Sequence, residues 1–246
     1  MNKSFHYDHI YKLALHTGFE NYQAHRIAFA SQFVDDNSVP LNWNGYNNYI
    51  SQTMDILNPS KLYEKVYSKF HYPECGVNAP FKEKLYEGVN PRAVKAGLYP
   101  LQNARRLRVT NDLNALGIFL HTYADSFAHH GFSAYWEPWN GFPGALSAII
   151  PNIGHADAKH NPDIEGKIWD DPRNKDEFRQ INNVLRFSQA SLRCQELLMK
   201  VSRKKKVVPL KGKLNNLIPY NKKDILKDFK WWVKFQDEIK RVFDEE

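Results

Sequence analysis

The sequence predicts an all-α protein: a single helical bundle with a metal site between helices and long loops rich in proline, glycine and aromatic residues. Three observations lead there. Apolar residues recur at helical spacing through most segments, and no run alternates as a half-buried strand does. His121, Asp125 and His129 stand at i, i+4 and i+8. All ten histidines fall between His6 and His160, and the rest of the chain has none.

The elements follow in order. Residues 5–17 form a first amphipathic helix after Ser4, with His6, His9, Leu13 and His16 at helical spacing and Gly18 as its stop. A second helix covers 20–34 and runs into Asp35 and Asp36. Two carboxylates at a helix C-terminus oppose the dipole, so they need another reason to be there, and metal ligation supplies one. A third helix is expected over about 46–57 and a fourth over about 61–70, capped by Ser60 and ending at His71. Residues 73–100, rich in proline and glycine, read as a long excursion.

The helix expected over about 111–130 is the informative one. Thr110 or Asn111 can cap it, and Gly131 stops it. At about 100° per residue, positions four apart are offset by roughly 40°, so His121, Asp125 and His129 project from one face. Neighbouring donors of this kind suit one ion, or two ions sharing a carboxylate. A buried helix with hydrogen-bonded histidines is the plainer alternative.

A loop rich in proline, glycine and tryptophan follows over about 131–172. Within it, Trp136, Trp139, Phe142 and Pro143 read either as a mobile aromatic lid or as a packed loop. A long helix is expected over about 174–202, with Phe178, Ile181, Leu185, Leu192 and Met199 as its apolar stripe. The linker 203–221 leads to a last helix over about 222–243, with Ile225, Phe229, Trp232, Val233 and Ile239 inward. The domain reading is therefore 1–202 as the helical metal-binding domain, with 203–246 a basic linker and helix packed on it.

Composition narrows the class. Hydrophobic residues at 42% and aromatics at 14% exclude a disordered chain. No stretch approaches the length of a membrane span. Residues 1–8 carry no apolar run, so the expected location is the cytoplasm, or export without a conventional signal. Cys75 and Cys194 form no motif, and no phosphate-binding glycine loop occurs. The net charge of +7 lies from Lys200 onward, where 14 Lys/Arg face 7 Asp/Glu. That region suits an anionic membrane surface or nucleic acid as partner, Lys204–Lys206 and Trp231 or Trp232 meeting it, or else is a solvated helix face.

The candidate ligands are His6, Asp35, Asp36, His71, His121, Asp125, His129, His155 and Asp157. His155 and Asp157, in the loop 154–160, are expected to close the site. Mixed nitrogen and oxygen donors without cysteine point to zinc, with iron or manganese as alternatives. Asp163 and Trp169 are expected to brace the loop. Arg105, Arg106 and Arg108 precede the metal helix and either meet a phosphate or line a solvated turn.

The phrases Phe5-His6-Tyr7, Gln32-Phe33-Val34-Asp35-Asp36, Leu120 to His129, and Gly154-His155 with Asn161-Pro162-Asp163 resemble an uncharacterised bacterial family, a domain of unknown function, over about residues 5–170. Their ligand order is also similar to the zinc-dependent phospholipase C and single-strand nuclease superfamily, an all-helical fold with a trinuclear zinc site. This resemblance implies phosphoester hydrolysis of a phospholipid or nucleotide by a metal-bound hydroxide, with Asp125, His129 and Asp36 in catalytic roles. The chain departs from that pattern in two places. It lacks the superfamily's N-terminal Trp, and Lys159 stands where a His-x-x-x-Glu pair would place its carboxylate, so Asp157 or His160 must substitute. Two ions are then the safer expectation over three. No adjacent His-Asp pair occurs, which counts against an HD-type phosphohydrolase. The alternative outside enzymes is a metal-stabilised binding or toxin-like effector protein.

Overall fold

The structure is a computed structural model that describes residues 1–38, 42–43, 46–47, 51, 66–72, 112–134, 140–143, 153–174, 176–202 and 229–244. A π-helical segment, Ser4–His9, runs into α1, Ile10–His16. Helix α2 spans Asn21–Asp36, followed by β1, Asn42–Trp43, and β2, Tyr46–Asn47. A second π-helical segment covers Tyr67–His71, and α3 covers Leu113–Ala128. A 3-10 turn, Asn161–Asp163, precedes β3, Ile168–Asp170. Another, Asp176–Phe178, precedes β4, Gln180–Asn182, then α4, Asn183–Ser202, and α5, Phe229–Asp244. The chain is mostly helical, as expected, with two short antiparallel pairs besides. No helix among the described residues is long and apolar enough to cross a membrane.

The chain divides into two compact units. Unit 1 comprises residues 1–2, 54–99 and 122–190, and unit 2 comprises 3–53, 100–121 and 191–246.

In unit 2, Gly18 ends the first helical stretch with φ 95°, and Glu20 and Gln23 form a capping box that starts α2. The N-terminal half of α3 meets α2 at Gly117. A β-carbon there would lie 2.3 Å from the Ile27 carbonyl oxygen and 2.6 Å from Ala30 Cβ, so only glycine permits the approach. The cap of α3 is Asp112, not Thr110 or Asn111: its Oδ1 accepts the backbone N–H groups of Asn114 and Ala115. Phe235 of α5 meets Phe33 of α2 edge to face at 4.9 Å, and Lys234 and Lys240 are exposed. The inward face of α5 therefore includes Phe235 with the expected Ile239; residues 203–228 and the side chains of Phe229, Trp231 and Trp232 lie outside the described residues.

The core of unit 1 joins Tyr67, Tyr72, Phe132, Ala134, Ile153, Ala158, Trp169 and Ile181, with Phe142 packed against it. Trp169 of β3 faces Ile181 of β4 in the pair's register. Asn183, fully buried at the start of α4, ties this layer together. It accepts from Trp169 Nε1 at 3.0 Å and donates to the carbonyls of Asn161 and Ile164 at 2.7 and 2.8 Å. The turn carrying Asp163 is thereby held to the core. Phe142 stacks on Trp169 and takes a cation–π contact from Arg173, which makes it part of a packed loop. Trp136 and Trp139 lie outside the described residues.

Three expectations need correction. The helix expected from residue 46 does not begin there, since Tyr46–Asn47 pair with Asn42–Trp43; Asn44-Gly45 between them is the sequence signal of a two-residue hairpin. The rest of that segment apart from Ser51, like 61–65 and 73–100, lies outside the described residues. The long helix begins at Asn183 rather than near 174, because 180–182 pair with β3. Its stripe is also rotated: Leu185 and Leu192 are exposed, while Phe187, Ala190, Cys194, Leu197 and Val201 are buried. Burial pushes the Cys194 thiol up from its ordinary value. Cys75 is outside the described residues.

Candidate metal centre

Unit 1 gathers imidazoles and carboxylates from three places in the chain. Helix α3 ends at Ala128, but its ladder continues one residue: the N–H of His129 bonds the carbonyl of Asp125 at 2.8 Å. That keeps His129 in helical register one turn beyond Asp125, as the spacing predicted. The π-helical segment brings His71 in, its Nδ1 3.2 Å from Asp125 Oδ2. The turn after Gly154 supplies His155, and the 3-10 turn supplies Asp163.

His129, His155 and Asp163 offer ligand atoms that all lie within 4.8 Å of one another. Asp163 is the centre of the group. Its Oδ1 lies 3.0 Å from His129 Nε2, and its Oδ2 lies 3.4 Å from His155 Nε2. Zinc–ligand bonds of about 2.0–2.2 Å set neighbouring donors roughly 3–3.5 Å apart, which both distances match. Tautomer control points the same way. Nδ1 of His129 lies 2.8 Å from the His71 carbonyl, which can only accept, so Nδ1 carries the proton and Nε2 faces Asp163. The residues present therefore fit a divalent ion.

Charge state favours the same chemistry. Burial pushes His155 down to about 4, against the pull of Asp163, so its imidazole is neutral at neutral pH and its lone pair is available. Burial alone would raise Asp163. The Met1 ammonium, His155 and His129 outweigh it and hold the carboxyl well below the usual range. The Met1 amine lies 2.5 Å from Asp125 Oδ1 and 3.2 Å from Asp163 Oδ1.

Over residues 1–245 the chain matches the model of a family described as "Family of unknown function (DUF6765)". The chain belongs to this family. No curated protein and no solved structure matches it, so the likeness to the phospholipase C and nuclease superfamily gains no support from these comparisons. The family extends past the resemblance read over residues 5–170 and takes in the basic C-terminal region.

The other candidate ligands of this family member distribute as follows. In unit 2, His6 and His121 are fully buried and stack at 3.9 Å, and Asp35 Oδ1 lies 3.7 Å from His121 Nε2. Asp36 ends α2, half-buried, one residue on. Asp157 does not stand in the group with His129 and His155; its Oδ2 accepts the N–H of Phe142 and so fixes the loop. Asp163, expected only to brace, supplies the carboxylate in its place. His160 is exposed, with Nδ1 4.0 Å from Asp163 Oδ2. Arg105, Arg106 and Arg108 lie outside the described residues.

Sequence reasoning missed Tyr72. Its ring stacks on His129 at 4.7 Å, and its hydroxyl accepts the N–H of His155 at 3.2 Å. Gly154 makes room for it: a β-carbon there would come 2.4 Å from the phenol oxygen, and φ is 55°. Burial, reinforced by Tyr67, raises Tyr72 well above its ordinary value, so the phenol stays neutral. An aromatic directly after His71 was the available signal.

Proposed function

We propose that this chain is a metal-dependent hydrolase of phosphoesters, phospholipase C-like or nuclease-like. The observation that carries the reading is the convergence of buried His129 with half-buried His155 and Asp163, with His71 and Asp125 adjoining. In this reading His129, His155 and Asp163 hold zinc, or iron or manganese, in unit 1. Such an ion supplies an acidified water and charge neutralisation at a phosphoryl oxygen. The protein's own residues orient the group: the His71 carbonyl fixes the His129 tautomer, Tyr72 sets the planes of both imidazoles, and Asp125 is placed to accept a proton or a hydrogen bond beside them. In unit 2, His121 lies beside His6 on one side and Asp35 on the other, further donors of the same chemistry.

The test is turnover of aryl phosphodiesters, aryl phosphomonoesters, phosphatidylcholine and single-stranded DNA by zinc-loaded protein. Metal-dependent turnover of at least one, lost by about a hundredfold or more in Asp125→Asn, is the expected outcome. Silence across the panel with metal bound would leave a metal-stabilised binding protein instead.

A further inference from the structure

Resting on that reading of unit 1, we propose that Lys159 and His160 form an anion-recognising lip of the metal centre, and that the group they receive is a phosphate. Among the described residues Lys159 is the non-glycine residue with positive φ, at 53°. The left-handed region puts an L-residue's β-carbon against its own backbone, a penalty that glycine escapes and asparagine lessens. Nothing in the turn calls for a lysine there. Lys159 is exposed, its backbone N–H bonds the Ala156 carbonyl at 3.1 Å, and its ammonium meets no carboxylate among the described residues. A residue kept in a strained conformation beside a polar cluster, with no structural partner, is a sign of function rather than of folding.

Placement supplies the rest. Lys159 stands four residues after His155 and four before Asp163, in the turn that links those two ligands. His160 follows it, 89% exposed at the side chain, with Nδ1 4.0 Å from Asp163 Oδ2. His160 thus borders the carboxylate at the middle of the site, and Lys159 is the exposed residue just before it in the turn. With Asp163 engaged by a divalent ion, that edge presents net positive charge. A lysine ammonium recognises phosphate as a point charge, without the fork geometry that favours arginine.

The test measures zinc binding, inorganic phosphate binding and melting temperature in wild type, Lys159→Asn and Lys159→Arg. Zinc affinity is expected to be the same in all three. Phosphate affinity of the zinc-loaded protein falls about tenfold in Lys159→Asn and stays within about threefold in Lys159→Arg. Lys159→Asn also melts about 2 °C higher, because the strain is eased. A gain in stability with a loss of phosphate affinity is a pairing that a structural role would not produce. Two further ligands, short-chain phosphatidic acid and a nucleoside monophosphate, identify the phosphate's source by which of them Lys159→Asn weakens. Zinc binding with phosphate affinity indifferent to Lys159 would overturn the lip alone. Absent zinc binding with Lys159-dependent phosphate binding would overturn the metal reading alone.

Discussion

Tyr72 shows how much one residue outside a ligand set can decide. It stacks on His129, bonds the backbone of His155 and occupies the space that Gly154 leaves open. Replacing the ring with alanine should weaken zinc binding about ten- to a hundredfold, the usual cost of losing an orienting partner. Tyr72→Phe, which keeps the stack and loses the hydroxyl, should fall between wild type and Tyr72→Ala; calorimetric titration with zinc orders the three. Equal zinc affinity across the series would reduce Tyr72 to core packing.

The titration of His155 gives a second residue-scale expectation. Its pKa is depressed from 6.5 to about 4, so between those values the unfolded chain binds more protons than the folded one. Stability of the metal-free protein is then full above about pH 6.5 and falls as pH drops toward 4. Asp163, also depressed, adds a loss that begins as pH falls into the ordinary carboxylate range and continues below it. Urea midpoints of the metal-free protein at pH 8, 6.5, 5 and 4 should decline along this series, and the decline above pH 5 should flatten in His155→Gln. A flat profile in wild type would contradict the assignment.

Among the elements, the helices were legible wherever a cap, a period and a stop agreed. Ser4–His16, Asn21–Asp36 and Leu113–Ala128 all end within a few residues of their expected bounds, and Gly18 and Gly131 take the positive φ their stops require. The stretch before α4 was not legible, because Phe178, Ile181 and Leu185 sit at helical spacing while the pairing of β4 with β3 decides the conformation. Tertiary pairing overrode local period there. At the site, the register of Asp125 and His129 is a local property and was readable. The approach of Asp163 to His129, across a separation of 34 residues, depends on how Asn183 and Trp169 hold the intervening turn, which no local pattern encodes. Gly117 offers an element-scale test. Gly117→Ala would ordinarily favour a helix, yet here its methyl group meets the Ile27 carbonyl and Ala30, so a loss of about 1–3 kcal/mol is expected by urea denaturation. A stabilised variant would mean that α2 and α3 do not meet as described.

For the molecule as a whole, charge and chemistry are segregated along the sequence: the surplus of +7 begins at Lys200, after the last histidine at His160. Helix α5 turns Phe235 and Ile239 inward, with Lys234 and Lys240 exposed, the arrangement of a core-facing amphipathic helix. The candidate metal centre of unit 1 lies in the other part of the chain. Its most direct test is elemental analysis of untagged protein, with melting curves of the metal-free form before and after zinc, iron or manganese is added. Wild type should carry at least about one equivalent of divalent metal and melt several degrees higher when reloaded, and the double variant His129→Ala/Asp163→Asn should lose both effects. A metal-free protein whose melting point does not move with any of the three ions, or a double variant that keeps its metal, would contradict it.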